Sequence, residues 1–435
     1  MNIRTRSLGI ATLFGCASLT WNLSAGDAEM AAGKVVIDDA APAACPDRLT
    51  GDWGGARSTL EENGVTIKLE GNYSFQGVAA GGSRFGNDTG NVFSGNLGVV
   101  IDTGKAGLWP GGFLSVRAEG RGGDSVLGGA GTTSPVNNDA LLPLIPGSLS
   151  DGGWGLTELT YAQFLSEKFG LVGGLINTDT GDANPIAGFL GSNDYFMNAA
   201  FLYSPVVGST VPNVSLGGGV VFLPSEANHF KFLVVGTNET AGIDPFDNYE
   251  GTTFLVEWAT KYELGGNPGG MTFTATYGID QERFRIADDP RILLRDYVTG
   301  QSLTTDDDSW SVMWNGFQYL SGDETGGWGL FGRFGFSDGD PNAIRWAGAA
   351  GIGGVGLIPG RDRDRWGIGI YHQEFTDEGL LPALGIDGET GGELFYNVVM
   401  CRGVSLTLDA QIIDSALPRV DDTVVVLGAR VGIDF

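Results

Sequence analysis

From Val65 to Val78 the chain reads "VTIKLEGNYSFQGV", and apolar and polar residues alternate along it. Val65, Ile67, Leu69, Tyr73 and Phe75 share one parity; Thr66, Lys68, Glu70, Asn72, Ser74 and Gln76 share the other. Successive side chains of a strand point to opposite faces of its sheet, so a period of two predicts one apolar face and one wet face. The same period returns again and again. "MTFTATYG" sets Met271, Phe273, Ala275 and Tyr277 against Thr272, Thr274 and Thr276. "TFLVEWATKYEL" sets Phe254, Val256, Trp258 and Tyr262 against Thr253, Glu257 and Lys261. "VSLTLDAQI" and "GELFYNVVM" repeat it, with Asp409, Gln411, Glu393 and Asn397 on the polar side. Such stretches predict about sixteen strands, with the pattern weakest over Asp151–Thr178 and Asp308–Leu320. Gly/Asn/Asp/Pro turns and longer polar loops, such as Gly122–Gly153 and Ala287–Asp307, separate them.

One-sided alternation also describes a soluble β-sandwich or a β-helix. Three features favour a membrane barrel. The apolar parity is rich in aromatics near strand ends, as interface girdles require. The other parity is hydroxylic and charged, including Arg117, Glu119 and Arg121 in "SVRAEGR", which suits a wet lumen. The last strand, "TVVVLGARVGIDF", ends on Phe435, and a terminal aromatic is typical of outer-membrane barrels, where assembly machinery reads it. Lipid offers no hydrogen bonds, so a spanning sheet must close on itself. The expected fold is all-β: a transmembrane antiparallel up-and-down β-barrel of about 16 strands with a short N-terminal periplasmic segment. Lipid then faces Val65, Ile67 and Leu69, and water faces Lys68, Glu70 and Gln76.

Ahead of the barrel (65–435) the chain divides into three parts. Residues 1–25 read as a cleaved secretory signal, with Arg4 and Arg6 before an apolar run and small residues at "LSAGD". Residues 26–48 read as a linker. Residues 49–64 hold one short helix, from about Gly55 to Asn63, stopped by Gly64. Cleavage removes Cys16 and leaves Cys45 and Cys401, whose pairing the spacing does not decide.

Composition narrows the function. Glycine supplies 73 of 435 residues without a G-X-Y period, which fits tight turns and crowded barrel walls. A formal charge of −27 argues against nucleic acid as a partner. "GIGGVG" matches G-x-G-x-x-G, but turn and strand follow it where a dinucleotide site needs a helix. "DGDPN" opens like a calcium loop but carries Ala343 and Ala349 where Gly and Glu belong. Only His229 and His372 are present; both are expected at solvated strand ends, leaving little for a metal site or a triad. "RDRDR", Arg361–Arg365, reads as self-paired surface. No cofactor, metal or catalytic residue is expected.

Longer segments add a resemblance. "LTGDWGGAR", with Gly51, Asp52, Trp53, Gly54, Gly55 and Arg57, followed by "LEENGV", resembles the N-terminal motif of the carbohydrate-selective porins, the OprB family of Gram-negative outer membranes. "GLIPGRDRDRWGIGIY" and the last strands, from "ELFYNVVM" to Phe435, are similar to the family's ending, and "NDYFMNAAF" to its middle. The resemblance implies a sixteen-stranded barrel in the outer membrane that passes small sugars, glucose-like monosaccharides above all, down their gradient. It places Arg121 of "EGR" at the constriction. Gly120 replaces the family's Glu beside it, and Leu175 stands where a basic residue is expected.

A sugar pore needs polar groups to replace lost hydration and flat apolar surface for the C–H faces of the ring. Arg117, Glu119, Arg121 and Glu158 are the candidates for the first. Trp154 and Trp314 are candidates for the second, although barrel tryptophans are more often interface anchors. Expected partners are small sugars, outer-membrane lipid and the barrel assembly machinery; monomer and trimer both stay open. The competing readings are a general cation-preferring porin, a structural barrel, and a secreted β-rich glycan-binding protein or glycosidase.

Overall fold

The computed structural model describes residues 48–435, apart from 85, 141–144, 146–151, 180, 282, 286–289, 292–297, 300–304 and 421–422. The expected signal segment, nearly all of the linker, and Cys16 and Cys45 lie outside the described residues; Cys401 is disulfide-bonded.

Sixteen strands form one closed barrel. The first eight are β1 (Val65–Ala80), β2 (Thr89–Asp102), β3 (Gly112–Gly123), β4 (Gly153–Ser166), β5 (Phe169–Asn177), β6 (Val214–Phe222), β7 (Asn228–Val235) and β8 (Thr252–Leu264). The rest are β9 (Asn267–Ile279), β10 (Ser309–Asp323), β11 (Gly326–Ser337), β12 (Ile344–Val355), β13 (Arg365–Phe375), β14 (Gly388–Cys401), β15 (Val404–Asp414) and β16 (Val424–Asp434). Each pairs antiparallel with its neighbour in sequence, and β1 closes on β16 with Tyr73 opposite Val431 and Phe75 opposite Ala429. Closure leaves no unpaired edge, which a spanning sheet could not tolerate. "GIGGVG" falls within β12 and the turn after it.

Parity decides the two surfaces. Tyr73 and Phe75 are exposed on the outer wall, while Asn72, Ser74 and Gln76 are buried on the inner one. A row of outer aromatics runs across β6 to β9, Phe222 to Phe230 to Trp258 to Phe273, with successive centroids 6.4, 6.4 and 5.6 Å apart.

The helix before the barrel spans Ala56–Glu62. Gly64 ends it at φ +83°, and a Cβ there would come within 2.6 Å of the Asp102 carbonyl, so the close turn into β1 needs glycine. The helix sits where the barrel closes: Leu49 N donates to Asp434 O at 2.7 Å, and Phe435 N donates to Leu69 O at 2.9 Å.

At the end of the barrel that carries the chain's C terminus the connections are short; at the other end several are long. Two of the long ones, after β3 and after β5, turn into the lumen. The second packs Ile186, Leu190, Phe196, Phe201 and Leu202 against inward Tyr319, Phe331, Tyr371 and Phe395 of β10, β11, β13 and β14. The inner wall is therefore not hydroxylic and charged throughout, as the sequence pattern implied. In this sector it is an apolar seat for a loop, because those rings meet protein and not water.

Candidate pore and constriction

The inserted loops are tied down by inward side chains of the wall. Glu393 accepts the Met197 and Asn198 amides at 2.6 and 2.9 Å, and Glu389 accepts those of Thr133 and Ser134 at 2.6 and 2.9 Å. Arg430 donates to Tyr195 O at 2.7 Å, and Asn72 Nδ2 to Asn193 Oδ1 at 2.6 Å. Arg333 holds Asp182 Oδ2 at 3.1 Å, the carbonyls of Asp182 and Gly188 at 2.7 and 2.9 Å, and the carbonyl of Phe201. Buried backbone polar groups of a loop need such partners. This is why the inward parity of β11, β14 and β16 carries charge.

The loop thus lies against β10 to β16 and reaches across β1. Its C-terminal end meets β8 and β9, where the Thr210 carbonyl accepts from Thr253 Oγ1 at 3.1 Å and its hydroxyl bonds that of Thr276 at 2.8 Å. Its middle faces β3. There β3 presents Arg117, Glu119 and Arg121 in a ladder. Both arginines donate an Nη2 to Glu119 Oε1, at 3.0 and 3.1 Å, and Arg121 Nη1 lies 3.6 Å from Asp139 Oδ1. All three ladder side chains are buried, yet Nε of each arginine has no hydrogen-bond partner among the described residues. Glu158 stands across from Arg117 in the β3–β4 register, with its carboxylate accepting from Thr160 Oγ1 at 2.9 Å. The loop comes close from the other side: a Cβ on Gly191 would lie 3.2 Å from Arg117 Nη2. A chamber of about 270 Å³ extends from Arg117 toward the terminus end, lined by Lys68, Glu70, Asp194, Arg402 and Asp434.

Of three buried loop carboxyls, Asp179 flanks the ladder. Burial, reinforced by the nearby Glu119 charge, pushes Asp179 up to about 6. Burial and then Asp179 push Glu239 up to about 7, although it accepts the amides of Asn213, Val214 and Ala241. Burial also raises Asp182 to about 6 despite its bond to Arg333.

The four charged candidates thus meet in one patch, and the two tryptophans do not join them. Trp154 is 64% exposed on the outer wall, where its ring covers Gly120 and Gly95. Trp314 is also outside, over Gly316 and Gly332. The parity of β4 and β10 turns both toward lipid, so neither supplies a stacking surface in the pore. Leu175 packs with Ile145, Val214 and Ala241 and takes no part in the ladder. His229 is buried beside Glu257, its Nε2 3.6 Å from Oε1, and is not a solvated strand end. In "RDRDR" the Arg361–Asp364 pair is internal at 2.7 Å, but Arg365 leaves it to bind Asp194 at 3.1 Å.

Asp139, Asp179, Glu239 and the Lys231–Glu257 pair, 2.7 Å apart, escaped the sequence reading. Lys231 and Glu257 were detectable as charges on an inward parity. The loop acids carry no such signal.

A closed barrel with an apolar outer wall, and with a loop narrowing a charged lumen, defines a porin, a channel protein. A family model described as "Carbohydrate-selective porin, OprB family" matches residues 90–435, and the chain belongs to that family. That membership implies the Gram-negative outer membrane. The N-terminal motif, Gly51 to Arg57, precedes the matched region. The chain is similar to the high-pH structure of Pseudomonas putida OprB, at 19% identity and a TM-score of 0.76, over 90% of this chain and 99% of that one. Against the low-pH structure of the same porin the values are 16%, 0.56, 89% and 98%. At these identities the likeness is one of fold. No curated protein matches the chain.

Proposed function

We propose that the barrel conducts small neutral sugars, glucose-like monosaccharides first among them, by passive diffusion past Arg117, Glu119, Arg121 and Glu158. The observation that carries this reading is the ladder itself. Its two arginines are matched by Glu119 and Asp139, and Arg117 borders the chamber of about 270 Å³. A neutral hydroxyl-bearing solute in that chamber can take hydrogen bonds from Arg117 in place of water, and an ion gains little from a ladder already paired. Outer-membrane lipid meets the aromatic wall, and Phe435, continuing β16, is the signal read by the assembly machinery. Glucose, xylose and sucrose titrated against single-channel current test the reading. Saturable loss of current with a monosaccharide supports it; open channels indifferent to all three sugars sink it.

A general cation-preferring porin is the second reading, motivated by the charge of −27 and by Asp179, Asp182 and Glu239 in the lumen. Reversal potential in a salt gradient separates the two: strong cation selectivity without sugar block favours the second. A secreted glycan-binding protein or glycosidase would have to keep the exposed aromatic wall in water, at a large hydrophobic cost.

A further inference from the structure

Among the described residues, the chamber of about 270 Å³ beside Arg117 is lined by one aromatic residue, Phe189 of the loop after β5. Its neighbours in the loop turn to the apolar seat on β10 to β14, where Ile186, Leu190 and Phe196 are 1%, 5% and 0% exposed. Phe189 has no place in that seat and stays part-exposed. An apolar side chain left partly open to water forgoes burial that its neighbours obtain.

The turn that carries Phe189 is held firmly. Ser192 Oγ donates to the Phe189 carbonyl at 2.7 Å, and Ser192 N to the same oxygen at 3.0 Å. Gly191, at φ +80°, takes the left-handed conformation that brings the turn against Arg117. Beyond it, Asn193 Oδ1 accepts from Asn72 at 2.6 Å and Asp194 Oδ2 from Arg365 at 3.1 Å. A loop tied in this way is ordered before any ligand arrives. The same chamber offers polar groups that a solute can reach: Lys68, Glu70, Arg402 and Ser405 line it and are part-exposed, and the Asp194 side chain is 43% exposed. Cations (Lys68, Arg117, Arg402) and carboxyls (Glu70, Asp194, Asp434) are present in equal number, so the lining offers hydrogen bonds without favouring ions of one sign.

Resting on the sugar-channel reading above, we propose that Phe189 is the stacking platform of this chamber and makes it selective for ring sugars with equatorial hydroxyls, such as the pyranose forms of glucose and xylose. In such a ring the C–H bonds point to the two faces and the hydroxyls lie around the rim. The flat face of Phe189 takes the C–H face, and Lys68, Glu70 and Asp194 take rim hydroxyls. An axial hydroxyl would be pressed against the aromatic ring without a partner. An open-chain polyol has the hydroxyls but no rigid face, and it must give up torsional freedom to bind.

The test compares block of single-channel current by glucose and by sorbitol, its open-chain polyol, in the full-length barrel. Half-blocking concentrations are measured for wild type, Phe189→Leu, Phe189→Tyr and Arg117→Gln, with folding of each variant checked by heat-modifiable migration. Phe189→Leu keeps an apolar side chain and removes the flat face; Phe189→Tyr keeps the face. Wild type is expected to be blocked better by glucose than by sorbitol. Phe189→Leu should raise the glucose value about two- to tenfold, the scale of one aromatic contact, and leave sorbitol unchanged, while Phe189→Tyr stays near wild type for both. Equal weakening of glucose and sorbitol in Phe189→Leu would mean that Phe189 only shapes the loop, and the proposal falls. Wild-type block by sorbitol as strong as by glucose also overturns it. If Arg117→Gln shifts the glucose block while Phe189→Leu matches wild type, the ring does not meet the sugar; the proposal falls and the sugar channel stands. Absence of glucose block in wild type removes the sugar reading itself, and this proposal with it.

Discussion

Arg57 and Phe435, 378 residues apart in the chain, are joined by a 2.7 Å hydrogen bond from Arg57 Nη2 to the Phe435 oxygen. The same guanidinium donates to Gly51 O at 3.0 Å and lies 4.2 Å from the Trp53 ring centroid. The residues that carry the N-terminal resemblance therefore clasp the last residue of the closing strand. Replacing Arg57 with Ala leaves a part-buried acceptor unmet and removes the stacked cation. The expected loss is about 1.5–3 kcal/mol of barrel stability, the range for a hydrogen bond to a charged group. The midpoint of heat-modifiable migration measures it; an unchanged midpoint makes the clasp incidental.

Phe435→Ala separates assembly from stability. The Phe435 ring is part-buried near Gly71, 3.4 Å from an ideal Cβ there, while the bond from its backbone N–H to the Leu69 carbonyl survives truncation of the side chain. We expect slower insertion in a time course with the assembly machinery, and a barrel of near-normal stability once formed. Equal insertion rates would remove Phe435 as the signal.

Arg333 is the loop's firmest tether on β11. Arg333→Leu leaves Asp182 buried without its cation, an uncompensated charge that costs about 3–5 kcal/mol. The loop then has reason to leave its seat. Single-channel records are expected to show larger, noisier openings, and a quiet trace of wild-type amplitude would count against the tether.

Ion preference is expected to depend on pH. Asp179 and Asp182 titrate near 6 and Glu239 near 7, all raised first of all by burial. Below these values the three carboxyls are neutral; above them the lumen gains negative charge. Cation selectivity, read as reversal potential in a KCl gradient, should therefore rise from pH 5 to pH 8. Stability has the opposite sign. A raised carboxyl pKa favours the folded state while the group is protonated, so this contribution is complete below the unfolded value near 4 and is lost as pH climbs through 6 to 7.

Trp154→Ala tests the outer wall. The ring covers Gly95 and Gly120 from the lipid side, so sugar block should not change, and stability should fall by about 1 kcal/mol, well under the cost of a fully buried aromatic. A shifted half-blocking concentration would contradict the outward placement.

The wall was legible because a strand reports side-chain direction every second residue. Ladder residues Arg117, Glu119 and Arg121 could be placed inside from "SVRAEGR" alone. What parity cannot report is what an inward side chain meets. Phe331 and Phe395 point inward as the alternation requires, but they meet Phe196 and Phe201, not water. Nothing in the period of two announces that pairing, since it depends on a loop crossing the lumen. Trp154 and Trp314 show the converse: their residue type suited a sugar surface, and their parity had already ruled it out.

The seat of the loop on β10 to β14 has a consequence for how such a protein can change. Strand count sets the girth of the cylinder, but one excursion of chain, fastened from within, sets the bore. Cargo can thus be re-tailored by editing that insert and its few anchoring side chains. The lipid-facing shell, and whatever reads its closing seam during biogenesis, need not change at all.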